Sequence, residues 1–248
     1  MLENHYFGND LHLGTDLEPL SRRANPQPAK IAAMPKTLAA ARARRIRLIL
    51  FDVDGVLTDG KIWIFPAPSS PETRPAASST QAAIEKSSQT TGLAGFGLPS
   101  TTYVEAKGFH AHDGAAISFA RLAGIKTGII TKRISETVAL RARDLKLDHV
   151  YQGKQDKLTV FREILEKDRI TAAEACFVGD DVIDLPVLLN CGFAVAVKNA
   201  RPEVKARAHW VTPHAGGDGA ARDAVEYILK AQGKWKKAVA EYTEERGG

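Results

Sequence analysis

Leu48-Ile-Leu-Phe-Asp52-Val-Asp54-Gly-Val-Leu-Thr58-Asp59-Gly60 is the stretch on which the fold turns. Its first four residues make an unbroken apolar run, the pattern of a strand buried on both faces of a parallel sheet, and two carboxylates stand at its carboxyl end. Ligand sites of open α/β sheets lie at that edge. In extended geometry Asp52 and Asp54 project to one side and Val53 to the other. Two carboxylates so placed repel unless a cation or a shared proton relieves them. Alone, an Asp-x-Asp reads as a pair of solvated turn residues, so the rest of the chain decides what it means.

Downstream of Gly108, strands and helices alternate. Asp113 to Leu122 reads as a helix with Asp113 as its N-cap, followed by a strand from Ile125 to Thr131. A second helix carries Ile134, Val138, Ala142 and Leu145 at helical spacing. A short strand His149-Val-Tyr151 and a helix with Leu158, Phe161 and Leu165 on one face come next. Thr171 and Glu174 match a capping box for a single turn before the strand Ala175-Cys-Phe-Val178. Asp181 to Leu189 is expected to be helical, Phe193 to Val197 and His209 to Thr212 to be strands. A last helix buries Ala221, Ala224, Val225, Ile228 and Leu229. Such alternation implies right-handed βαβ units: an α/β, Rossmann-like three-layer sandwich with a mainly parallel sheet.

The irregular parts lie outside that series. Residues 1–44 read as a largely irregular extension ending in a short Ala/Arg-rich helix over 35–45, 45–235 as a single domain, and 236–248 as a C-terminal tail. Lys61-Ile-Trp-Ile-Phe65 and Thr102-Tyr-Val-Glu-Ala106 look like the two arms of a hairpin, a flap over about 60–107. Between them, about 66–101 turns to Pro, Ser, Thr, Ala and Gly and reads as a flexible insertion at the hairpin tip.

Composition narrows the function classes. The chain has 248 residues, 44% of them apolar, and no apolar run near the ~20 residues needed to span a bilayer, so no membrane partner is expected. The start lacks the basic and apolar segments of a secretory signal. Two cysteines, Cys176 in a strand and Cys191 beside a turn glycine, argue against a disulfide framework and for a reducing cytoplasm. A net charge of +5 permits nucleic-acid binding, but part of the excess falls in two tracts, 42–47 and 230–237, that read as solvated helix faces. An anionic small substrate is the better expectation.

Three further features join the Asp-x-Asp. Thr131 ends its strand as Asp52 follows the first, so a parallel sheet brings both to one edge, where a hydroxyl can hold a phosphoryl oxygen. Lys157 opens a helix after Gln152-Gly-Lys-Gln-Asp156, a place unfavourable to a cation unless something anionic is near; Lys154 competes for the same role. Phe177-Val-Gly-Asp180-Asp181-Val-Ile-Asp184 ends an apolar strand in a carboxylate pair with a third acid one turn on. Hard oxygen ligands at this density suit Mg²⁺. Each feature has a bland explanation; their occurrence in order at successive strand ends points to phosphoryl chemistry.

That order resembles the haloacid-dehalogenase phosphohydrolases. DVDGVLTDG, the hairpin, HDGAAI, ITKR, YQGKQDK, GDDVIDLPVL, AGGDGAARD and AQGKW are similar to the capless, tetrameric phosphatases acting on 3-deoxy-D-manno-octulosonate 8-phosphate in lipopolysaccharide core sugar synthesis; the match covers about 45–235. The resemblance implies Asp52 as nucleophile, Asp54 as general acid and base, and Thr131 and Lys157 as the phosphate cradle. It implies Mg²⁺ held by Asp52, the Asp54 carbonyl and Asp180 with Asp181 close by, and Asp184 as an orienting group. It further implies a cytoplasmic homotetramer in which a neighbour's Lys234 lies over the entrance. Arg133 is the expected contact for the sugar carboxylate. The family reads Thr-Gly-Arg where this chain has Thr131-Lys132-Arg133, and Arg-Asp-Gly where it has His112-Asp113-Gly114; both departures bear on which sugar phosphate is used, another nonulosonate being the alternative. A phosphoryl-accepting signalling receiver would place its acid pair before the acceptor aspartate, and a polynucleotide end-phosphatase would need an aromatic, basic groove. Neither pattern is present.

Overall fold

The computed structural model describes residues 36–66 and 103–247. The expected extension up to residue 35 and the insertion at the hairpin tip lie outside the described residues. The elements are α1 (Lys36–Ala43), β1 (Leu48–Phe51), β2 (Trp63–Pro66), β3 (Tyr103–Ala106), α2 (Ala111–Leu122), β4 (Lys126–Ile130), α3 (Glu136–Asp144), β5 (His149–Tyr151), α4 (Lys157–Asp168), β6 (Ala175–Gly179), α5 (Leu185–Leu188), β7 (Phe193–Ala196), α6 (Pro202–Lys205), β8 (Trp210–Val211), α7 (Ala220–Ala231) and α8 (Trp235–Gly247).

Six strands form one parallel sheet in the order β5-β4-β1-β6-β7-β8. The apolar runs become strands because helices flank the sheet: β1, β6 and β7 are buried throughout. One helical group joins α1, α2, α7 and α8; another joins α4 to α5 and β4. The chain leaves β1 first toward β4 and β5, then crosses back to β6, β7 and β8. The switch point therefore lies at β1, and strands on both its sides end beside Asp52. β2 and β3 stand apart as an antiparallel ribbon, with Trp63 opposite Ala106.

Four local expectations are corrected. Asp113 does not cap its own helix; His110 does, accepting from His112 N at 3.3 Å. The buried Asp113 carboxylate instead receives Arg222 N at 2.9 Å and Gly219 N at 3.3 Å, capping α7 from across the interface. Ile134 is exposed and precedes α3, because Ser135 caps that helix by accepting from Val138 N at 3.3 Å. The helix expected over 181–189 is split into a 3₁₀ turn, Val182–Asp184, and α5, where Pro186 sits in the first turn without an N–H to give. The segment from 236 is not a tail but most of α8. It packs on α2 through Trp235 and Tyr242, whose rings lie 5.1 and 4.7 Å from that of Phe119. The capping box at Thr171 is present, with Glu174 Oε2 accepting from Thr171 N at 2.9 Å.

Candidate active site

The loop after β1 is wound onto one oxygen. The N–H groups of Val56, Leu57 and Thr58 point at the Val53 carbonyl at 3.2, 3.0 and 3.1 Å. Gly55 turns the chain at φ +91°, and a Cβ there would lie 2.2 Å from Asp180 Oδ2, so glycine lets the loop cross the end of β6 without displacing that carboxylate. A second loop presses from behind: Gly217 N donates to Val56 O at 3.0 Å.

This packing buries Asp52, whose Oδ1 accepts from Val53 N at 2.7 Å and whose Oδ2 lies 2.9 Å from Lys157 Nζ. The same ammonium is 2.7 Å from Asp184 Oδ1, and Asp184 Oδ2 accepts from Asp180 N at 3.0 Å. Carboxylate oxygens of Asp52, Asp180 and Asp184 gather within 4.8 Å of one another. Burial first, then the charge of Asp184, pushes Asp52 up to about 7, against the pull of Lys157. Burial, followed by Asp52, Asp184 and Asp181, pushes Asp180 up to about 7 as well. For Lys157 the largest influence, burial, works against its charge, yet Asp52 and Asp184 together outweigh it and hold the ammonium above its usual range.

Two of these three carboxylates bind one ammonium, and Asp180 Oδ1, beside them, is buried with no hydrogen-bond partner. An unsatisfied buried acceptor costs about 1–3 kcal/mol. A hard divalent cation satisfies that oxygen and the excess charge together, so the residues present fit Mg²⁺.

The other expected residues divide into two groups. Thr131 is buried directly after β4, the neighbour of β1, which puts it at the same sheet edge as Asp52. Lys157, not Lys154, joins the carboxylates; Lys154 is exposed and gives only its backbone N–H, to Thr131 O at 3.1 Å. Asp181 takes Val182 N on Oδ1 at 2.6 Å and caps the 3₁₀ turn, so the close cluster holds Asp184 in its place. The Asp54 carboxylate belongs to a second group, where Lys107 Nζ donates to its Oδ1 and Arg133 Nε lies 3.7 Å from its Oδ2. Arg133 also reaches Glu105 Oε2 at 3.4 Å. Lys234 is not brought to the site of its own chain: it donates to Ala123 O at 3.1 Å, beside the amino end of β4. Lys107, Glu105 and Ser135, whose Oγ donates to Glu105 Oε1 at 2.5 Å, escaped the sequence reading. Nothing in the pattern marks them, since a lysine just after an exposed hairpin arm reads as a surface residue.

Known proteins resemble this chain in sequence and fold. Residues 125–222 match the family model described as haloacid dehalogenase-like hydrolase. The 3-deoxy-D-manno-octulosonate 8-phosphate phosphatase KdsC of Escherichia coli strain K12 is 35% identical over 198 residues, 80% of this chain and 87% of that protein. The crystal structure of the Yersinia pestis phosphatase of the same name superposes with a TM-score of 0.63 at 32% identity, covering 80% of this chain and 89% of that one. That of the Moraxella catarrhalis enzyme, in complex with magnesium, phosphate and KDO, gives 0.66 at 29% identity, covering 84% and 99%. With identity sustained across most of both chains and the carboxylates gathered at the sheet's switch point, the chain belongs to the haloacid dehalogenase-like hydrolases, in the family of the 3-deoxy-D-manno-octulosonate 8-phosphate phosphatases.

Proposed function

We propose that this chain hydrolyses 3-deoxy-D-manno-octulosonate 8-phosphate to the free sugar acid and phosphate, in lipopolysaccharide core sugar synthesis. The observation that carries the reading is a buried Asp52 bonded to Lys157 beside an Asp180 oxygen that has no partner. The Asp52 carboxylate, the Asp54 carbonyl and Asp180 would hold Mg²⁺, with Asp181 near and Asp184 orienting both Lys157 and the Asp180 N–H. When bound, the ion supplies positive charge that offsets the repulsion between phosphate and attacking carboxylate.

The chain's own groups perform the steps. A carboxylate oxygen of Asp52 forms a bond to phosphorus while the bond from phosphorus to the sugar oxygen breaks, its electron pair staying on that oxygen. Asp54 gives the departing oxygen a proton, then takes one from the water that cleaves the aspartyl-phosphate. Thr131 and Lys157 hold phosphoryl oxygens. Arg133 receives the sugar carboxylate; its 36% side-chain exposure supports this assignment.

The site lacks a cap of its own among the described residues, and the ribbon that overhangs it exposes Trp63, Ile64, Phe65 and Val104. So much apolar surface on a two-stranded ribbon calls for a partner, and we assign it to hairpin packing within a homotetramer. Among the described residues no helix is long and apolar enough to cross a membrane; a cytoplasmic location follows from the substrate assigned.

The test is Mg²⁺-dependent phosphate release across a panel of sugar-acid and neutral sugar phosphates, with assembly followed by light scattering. The expected result is selective turnover of the eight-carbon sugar-acid phosphate, abolished in Asp52→Asn. Full activity in that variant, or equal turnover of every phosphate in the panel, would reject the assignment.

A further inference from the structure

We infer that Lys107 is a positioning residue for Asp54, so that the return strand of the hairpin sets the proton-transfer part of the reaction; this rests on the phosphatase reading above. Lys107 follows β3 directly, and its side chain is wholly shielded from solvent. An ammonium in such a place is costly unless well paired. Its partners are Asp54 Oδ1, on which it donates, and Glu105 Oε1 at 3.9 Å.

The geometry distinguishes the two oxygens of Asp54. Oδ1 is occupied by Lys107, whereas among the described residues the charged group recorded near Oδ2 is Arg133 Nε, at 3.7 Å and beyond hydrogen-bond reach. The carboxylate is thereby held with one oxygen anchored and the other, Oδ2, available to carry the proton that goes to the leaving sugar oxygen. Arg133 pairs more closely with Glu105, at 3.4 Å, than with Asp54. Glu105 ties the arrangement to the frame. Its side chain takes the Ser135 hydroxyl at 2.5 Å and its carbonyl takes the Thr137 hydroxyl at 3.0 Å, fastening β3 to the start of α3 just beyond Thr131. Lys107 itself cannot touch substrate from its shielded position, so it acts through Asp54.

Leaving-group dependence separates positioning from structure. A sugar alkoxide needs the proton of Asp54 to depart, whereas p-nitrophenolate leaves as a stable anion. In Lys107→Met the first-turnover release of the sugar acid should fall about 30-fold, within the ~10²–10⁴ that a positioned acid supplies. The first-turnover burst of p-nitrophenolate should change less than about 3-fold and be followed by slow turnover, because the water-activating step also uses Asp54. Lys107→Arg should restore most of the sugar-acid rate, and Glu105→Gln should show a smaller form of the same split, so the test survives if Lys107→Met folds poorly. Equal losses in both bursts, a raised KM with unchanged kcat, or no loss at all would overturn the inference while leaving the phosphatase reading intact. Absence of Mg²⁺-dependent phosphate release from the unmodified enzyme would overturn both.

Discussion

Replacing Gly55 by alanine should separate metal binding from folding. The backbone cost follows from φ +91°, a conformation that charges an L-residue about 1–2 kcal/mol. The new Cβ would sit 2.2 Å from Asp180 Oδ2, where ordinary contact begins at 3.4 Å, so that oxygen has to retreat by about 1 Å. The clash falls on the end of a side chain and not on backbone, so the fold tolerates it while the proposed Mg²⁺ ligand is displaced. Gly124→Ala is the control. Its φ is +74° with nothing within 4 Å of the added carbon, so it carries the same backbone strain and leaves the carboxylates alone. In denaturant melts both variants should lose about 1–2 kcal/mol. In Mg²⁺ titrations of phosphate release, Gly55→Ala should need at least about tenfold more metal, equivalent to ~1.4 kcal/mol of binding, and Gly124→Ala should match the parent. A Gly55→Ala enzyme with unchanged Mg²⁺ dependence would refute the placement of Asp180 in the metal site.

Three other outcomes are expected. Asp113→Ala should lower stability by about 2 kcal/mol, the upper range for a lost helix cap, since both its oxygens hold N–H groups at the start of α7; a change below 0.5 kcal/mol in a urea melt would show that water replaces them. Trp235→Ala should cost about 2 kcal/mol, less than the ~3–5 of a fully buried aromatic, because its ring packs on Phe119 and lies 4.9 Å from the Arg222 guanidinium; an unchanged melt would mean that α8 contributes no packing. His209 is held down to about 4, chiefly by burial and then by Arg42, and its Nδ1 accepts from Ala194 N at 2.8 Å. A depressed folded pKa means that the unfolded chain takes up the proton first, so this stabilisation is present above about 6.5 and is lost as pH falls toward 4. His209→Asn, which keeps an acceptor that cannot titrate, should lose less stability than the parent between pH 7 and pH 5, and equal losses would contradict the assignment.

The amino-acid sequence by itself determined the class of the fold and the chemistry of its centre. Runs such as 48–51 and 175–179 are apolar at every position, which only a sheet covered on both faces can use, and the acids that follow them then stand at one edge. Lys157 was legible because a cation opening a helix demands an anion, and Asp52 and Asp184 meet that demand. Tertiary structure alone decided the partners. The local pattern around Asp113 is the same whether it caps its own helix or α7, and only the crossing of the two helices assigns it to the second. Asp181 and Asp184 are equal as letters, but the 3₁₀ turn spends one on a cap and sends the other to Lys157. Trp235 and Tyr242 give α8 too narrow an apolar face to announce itself, and it folds onto α2 because Phe119 is there to meet it. Lys107 and Asp54 lie far apart in the chain and share no motif. What joins them is the return of the hairpin over the sheet edge, a long-range contact that no local periodicity encodes.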